Sequence, residues 1–157
     1  MKNERDIMLK DLLNWPAIMV QPRYGGSHQD IMENLFTNCA ILASYIESDY
    51  QGELGYIYLV YFGTDYAKVA IITDYFGSCS GCDAWDGADD DDARDLCIAL
   101  ANNARLFDTI DEAKEYLETC DKATSWGIAS VASGLLESLE ETRKQMSEED
   151  FRAFRNA

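Results

Sequence analysis

Between Leu54 and Phe62 the chain reads Leu-Gly-Tyr-Ile-Tyr-Leu-Val-Tyr-Phe, a run that is aromatic, β-branched and apolar almost without interruption. A strand with one solvated face would alternate apolar and polar residues. This run does not, so it predicts a strand with both faces at least partly covered. Gly63-Thr64-Asp65-Tyr66 follows as a turn, and Ala67 to Asp74 reads as a second strand. Residues 54–62 and 67–74 are therefore expected to form an antiparallel hairpin. A hairpin covered on both faces needs other elements to cover it, and the rest of the chain reads mainly as helix.

Glu4 to Trp15 places Ile7, Met8, Leu12 and Trp15 at helical spacing, and Pro16 ends that pattern. Ala17 to Gln21 reads as a strand or an extended linker, and Arg23-Tyr24-Gly25-Gly26 as a turn. Ser27 with Asp30 resembles a helix start, and Ile31, Leu35, Cys39, Leu42 and Ile46 then form one helical stripe, with Phe36 and Ala43 beside it. Ala93 to Leu106 predicts a helix that buries Leu96, Cys97, Leu100 and Ala104. Thr109 and Glu112 form a capping box ahead of Ile110, Ala113, Tyr116 and Leu117. Thr124 to Gln145 predicts a long helix with Trp126, Ala129, Ala132, Leu136 and Leu139 inward, and Ser147 to Asp150 starts a short last one with Phe151 and Phe154. The fold class expected is α+β, a small antiparallel sheet packed against several α-helices. With only Pro16 and Pro22, and no Pro- or Gly/Ser-rich linker, residues 1–157 are expected to form a single domain. Strands do not alternate regularly with helices and no Gly-rich phosphate loop occurs, which argues against a dinucleotide-binding sheet.

The formal net charge is -16, far beyond what solubility requires of a small domain. The hydrophobic share of 47% supplies a core, so the chain is not a disordered acidic tail. No apolar stretch is long enough to span a bilayer, and the start lacks the basic-then-apolar layout of a secretory signal, so a cytoplasmic protein is expected. An anionic surface repels nucleic acid and membrane phosphates and attracts basic protein clefts. Asp86, Asp89, Asp90, Asp91 and Asp92 crowd one stretch. Asp111, Glu115 and Glu118 recur at helical spacing, as do Glu137, Glu140 and Glu141, which predicts carboxylate stripes. These residues are the candidate partner-binding set. A plainer reading competes: Asp89 to Asp92 stand just ahead of a predicted helix, where capping and the helix dipole favour carboxylates.

The stretch Tyr75 to Asp92 breaks every periodicity and holds Cys79 and Cys82 as a C-x-x-C. A zinc site needs two further ligands, and the chain has no second C-x-x-C and only one histidine, His28. A thioredoxin-like site needs a helix start in a βαβ setting and a cation to lower the thiol pKa, whereas Asp83 adjoins Cys82. A structural loop is the third reading, with Gly77 and Gly81 supplying backbone freedom, Ser78, Ser80 and Asp83 bonding nearby amides, and Trp85 as a cover. Cys79 with His28 as nucleophile and base has no spacing to support it, and Asp83, Asp86 and Asp89 do not follow the calcium-loop pattern. No cofactor is expected. Trp126, Ala129, Ser130, Ser133 and Gly134 suit either a close helix contact in the core or a homodimer face.

The segment Asp74-Tyr75-Phe76-Gly77-Ser78-Cys79-Ser80-Gly81-Cys82-Asp83-Ala84-Trp85, preceded by Tyr50-Gln51-Gly52-Glu53-Leu54-Gly55 and followed by Phe107-Asp108-Thr109-Ile110-Asp111-Glu112-Ala113, resembles small acidic proteins of phages and mobile elements. The resemblance covers about the central half of the chain. It carries no functional residue across and implies a context, since such proteins are often inhibitors of host nucleic-acid enzymes, restriction and CRISPR effectors included. The expectation is then a non-enzymatic protein that blocks a basic nucleic-acid-binding site of a host defence or DNA-processing enzyme as a DNA mimic. The alternatives are a metal- or thiol-dependent protein using Cys79 and Cys82, and a phage structural or assembly component.

Overall fold

Strand β2 (Gly52–Tyr61) is an inner strand of a four-stranded, wholly antiparallel sheet of order β1-β2-β3-β4. A computed structural model describes residues 7–23, 28–47, 52–64, 66–76, 85, 87–121 and 128–145. Strand β3 (Ala67–Phe76) pairs with β2 in the expected hairpin, with Tyr58 opposite Ala70 and Tyr56 opposite Ile72. Both strands are longer than the sequence suggests, β2 starting at Gly52 and β3 running to Phe76. Strand β1 (Cys39–Ile46) lies along the other side of β2, and the short β4 (Arg105–Phe107) along β3. Five α-helices are described: α1 (Trp15–Met19), α2 (His28–Glu33), α3 (Asp90–Asn103), α4 (Ile110–Asp121) and α5 (Ile128–Gln145). The α+β class is as expected. None of these helices is long and apolar enough to cross a membrane.

Every residue from Leu54 to Val60 is buried because both faces of the sheet are covered. On one face Leu54, Tyr56, Tyr58, Val60, Ala70 and Ile72 pack with Leu9, Leu13, Ile18, Ile31 and Met32 from the N-terminal segments and with Ala93, Cys97 and Leu100 of α3. On the other, Ile57, Leu59, Val69 and Ile71 pack with Ile110, Ala113 and Leu117 of α4 and Val131, Ala132, Leu135 and Leu139 of α5. Alternate side chains of one strand therefore enter two different cores.

The largest departure from expectation is Cys39–Ile46, which is a strand and not the continuation of a helix. Helix α2 stops at Glu33, and the buried Leu35 and Phe36 lie beyond it. In β1, Ile41 stands opposite Tyr58 and Ala43 opposite Ile57, so Leu42 is an extra residue in a bulge. Adjacent Leu42 and Ala43 are thereby both buried in the same core. Two neighbouring inward residues are what a helical stripe looks like in sequence, and a bulge produces the same pattern in a strand.

Three smaller corrections follow from local capping. Leu9–Leu12 forms a 3-10 turn, not the interior of a helix, with the Met8 N–H donating to the Asp11 carboxylate at 3.0 Å. Pro16 opens α1 where the sequence reading had it end a helix, and Ala17 lies in that helix, not in a strand or linker: the Ala17 N–H donates to Asn14 Oδ1 at 3.3 Å. A proline in the first turn has no intrahelical donor to lose. The helix expected to run to Leu106 ends at Asn103, and Arg105–Phe107 instead pairs with Val69–Ile71 of β3. The Thr109 cap forms as expected, with the Glu112 N–H donating to Thr109 Oγ1 at 3.1 Å. The Glu112 carboxylate reaches back to the Asp108 N–H at 3.2 Å. Trp126, the Ala129 side chain and the helix expected from Ser147 lie outside the described residues.

Helix α5 sits close to the sheet because a glycine lies on each side of the contact, one on the helix and one on β2. A Cβ on Gly134 would stand 2.2 Å from the Tyr45 ring, and one on Gly55 would stand 2.6 Å from Val131 Cγ1. At Gly134 the small-residue stripe thus serves a close contact inside the fold. The same helix covers the outer edge of β1: the Ser44 N–H donates to Ser138 Oγ at 3.0 Å, and the Thr142 hydroxyl donates to the Leu42 carbonyl at 2.6 Å. An edge strand left open would offer those groups to another chain.

Gly134→Ala is expected to cost about 1–3 kcal/mol, since the Tyr45 ring must move. Urea unfolding measures it, and Ser138→Ala serves as a milder control on the same helix. The paired tyrosines give a second test. The Tyr58 hydroxyl donates to the buried Met32 carbonyl at 2.7 Å, while the Tyr56 hydroxyl is buried with no hydrogen-bond partner among the described residues. Tyr58→Phe should destabilise by about 1–2 kcal/mol, and Tyr56→Phe should leave stability equal or higher. Burial pushes the Tyr56 phenol up to about 12, so the folded state resists its ionisation, which costs nothing below pH 10. Stability then falls as pH rises from 10 through 12, and Tyr56→Phe should flatten this part of the alkaline unfolding curve.

Candidate acidic interface

The acidic candidates divide between the two sides of the sheet. Asp89 to Asp92 stand at the start of α3, in one covering layer. Asp111, Glu115 and Glu118 of α4 and Glu137, Glu140 and Glu141 of α5 belong to the opposite layer. All of these side chains are exposed. Asp86 lies outside the described residues. The sheet therefore brings the α4 and α5 sets together and holds the α3 set apart.

Local structure accounts for part of the α3 set. Asp89 Oδ1 accepts from the Asp92 N–H at 2.8 Å and caps the helix. Asp90 pairs with Arg23 at 2.8 Å. Arg23 is itself held by the Ala88 carbonyl at 3.2 Å, and its own carbonyl accepts from Gly87 at 2.6 Å. Arg23 thus ties the approach to α3 to the segment after α1. These contacts, with the helix dipole, account for Asp89 and Asp90 without a partner.

On the opposite layer Glu140 lies 3.8 Å from Arg143 and Glu141 lies 3.5 Å from Lys144, each three residues along α5. Both partners of each pair are exposed, so these contacts are weak and easily exchanged for an outside cation. Glu115, Glu118 and Glu137 form no ion pair with the described residues. Asp111, Glu115 and Glu118 follow one another at four and three positions, along a helix whose inner side is fixed by Ile110, Ala113 and Leu117.

Of the C-x-x-C segment, Cys79 and Cys82 lie outside the described residues. Its far end is anchored: Trp85 is buried, and its Nε1–H donates to Asp74 Oδ2 at 3.1 Å. His28 is buried beside the same carboxylate, with Nδ1 3.5 Å from Asp74 Oδ2, and it meets Trp85 edge to face with ring centres 6.1 Å apart. Sequence reasoning missed this grouping because His28, Asp74 and Trp85 are far apart in the chain. Cys97 is buried in the same layer; burial, and then the Asp74 carboxylate, push its thiol up to about 12. Burial also raises the Cys39 thiol. Neither is poised as a nucleophile. Among the described residues no three His, Cys, Asp or Glu side chains are grouped to hold a metal ion. Comparison with protein-family models, curated proteins and solved structures finds no match for the chain.

In the folded protein at neutral pH, Cys97 should resist iodoacetamide and become fully modified only in denaturant. Mass spectrometry of the labelled peptides checks this. Ready alkylation of the native protein would contradict the burial described for α3.

Proposed function

We propose that this protein is a non-enzymatic inhibitor that sets the acidic α4–α5 layer against a basic nucleic-acid-binding surface of a host defence or DNA-processing enzyme. The observation that carries this reading is the exposed carboxylate row Asp111, Glu115 and Glu118 on a helix seated firmly on the sheet. At about 1.5 Å of rise per residue, successive members stand ~6 and ~4.5 Å apart along the axis. These steps are longer than the axial phosphate spacing, about 3.4 Å per strand of duplex, but of the same order. Glu137, Glu140 and Glu141 widen the row on the neighbouring helix.

A firm carboxylate surface has two consequences for a DNA-binding cleft. It competes for the lysines and arginines that otherwise neutralise phosphates, and its long-range field speeds encounter in a salt-dependent way. Asp89 to Asp92, on the far side of the sheet, add to that field without sharing the contact. The resemblance to small acidic phage proteins supports the same context, of which anti-restriction and anti-CRISPR inhibitors are the natural examples.

The test is competition with DNA. Representative restriction and CRISPR effector enzymes are bound to labelled duplex, and the protein is titrated in across a salt series. Displacement at low salt that weakens as salt rises is expected, with at least a tenfold loss for the triple variant Glu115→Lys, Glu118→Lys and Glu137→Lys. Circular dichroism establishes that the variant is folded. Equal displacement by the variant, or none by the native protein, overturns the reading.

A further inference from the structure

A cavity of about 350 Å³ opens between the sheet and the α4–α5 pair, independent of the acidic outer surface. Its apolar wall is formed by residues such as Ile71, Leu117, Val131 and Leu135, all of which belong to the core between sheet and helices. Two charged groups of opposite sign also line it, Arg105 from β4 and Glu53 from β2. Arg105 lies over the Tyr116 ring, its guanidinium carbon 5.4 Å from the ring centre. Neither Arg105 nor Glu53 forms an ion pair with the described residues.

The register explains why they do not meet. Arg105 stands opposite Ile71 and Glu53 opposite Tyr75, on the two sides of β3 and four residues apart along it. At about 3.4 Å per residue and 4.8 Å per strand, their Cα atoms are roughly 17 Å apart. Arg105 is turned onto the Tyr116 ring, so the two charged ends stay well apart, with apolar residues between them. Burial, then the Glu47 and Asp74 carboxylates, push the Glu53 carboxyl up.

We propose that this cavity binds a short apolar peptide with free termini, of dipeptide size, its ammonium on Glu53 and its carboxylate on Arg105. A single amino acid holds its two charges too close together to reach both ends. A simple anion at Arg105 would lie in a strongly negative field, whereas a zwitterion has no net charge to be repelled. The volume equals about a dozen water molecules at ~30 Å³ each, which suits a dipeptide carrying one branched apolar side chain. A small, mostly apolar hollow with a few converging polar groups is the usual form of a ligand site.

The probe is alanyl-leucine, titrated into the full chain with methyl NMR as the readout. Saturable shifts at the methyls of Ile71, Leu117, Val131 and Leu135 are expected, with a dissociation constant below about 1 mM. N-acetylation or C-amidation of the peptide should each weaken binding at least tenfold. Arg105→Gln should weaken the parent peptide similarly while leaving the amidated one unaffected, and Glu53→Gln should do the converse for the acetylated one. Both substituted side chains reach solvent, and preserved spectral dispersion establishes that the variants are folded. Absence of methyl shifts at 10 mM, which is about ten times that limit, overturns the proposal, as does equal binding of the blocked peptides. The acidic-face variant used in the competition test should bind the peptide as the native chain does, so the two readings fail separately.

Discussion

The burial of the β2–β3 hairpin on both faces is the constraint from which the rest of the architecture follows. Tyr56, Tyr58 and Val60 enter one core and Ile57 and Leu59 the other, so neither helical layer can be removed without exposing a row of large side chains. At about 25 cal/mol per Å² of apolar surface, that exposure outweighs any single polar contact in the molecule. The helices are where they are because this strand pair must be covered twice. The capping and edge contacts adjust their ends and do not choose their places.

That three-layer arrangement also disposes of the charge. A chain with net charge -16 folds only if its carboxylates stay in water, and the exposed candidate residues all do so. With a sheet in the middle, the outward sides of the helices are the available sites, and they face opposite ways. The charge therefore forms two fields, one around the start of α3 and one across α4 and α5. The first is partly internal in purpose, since Asp89 caps a helix and Asp90 holds Arg23. The second has fewer internal uses, which is why the proposed interface lies there.

The close seating of α5 joins the sheet to that surface. Gly134 admits the Tyr45 ring and Gly55 admits Val131, while Ser138 and Thr142 satisfy backbone groups of the outer strand. A helix held so near the sheet presents Glu137, Glu140 and Glu141 at a fixed height. The cavity lies beside that close contact, where α4 and α5 bridge β2, β3 and β4 without filling the space above Thr73. Rigid seating and a residual hollow thus arise together.

What the chain specifies locally was readable. The continuous apolar run at 54–62, the turn after it, the capping box at Thr109 and Glu112 and the stripe of α4 each depend on neighbours within a few residues, where periodicity and capping act. The α4 and α5 carboxylates were legible as helical faces for the same reason. Cys39–Ile46 was not, because a bulged strand that buries two neighbouring residues shows the spacing of a helix, and only pairing with β2 distinguishes them. Pro16 was misread because a proline both ends and begins helices, and Asn14 decides which. The separation of Asp89–Asp92 from the other acids, the meeting of His28 with Asp74 and Trp85, and the opposition of Arg105 and Glu53 across β3 were decided by tertiary structure alone. Each depends on which strand lies beside which, a long-range choice made by the total area buried and not by any short segment.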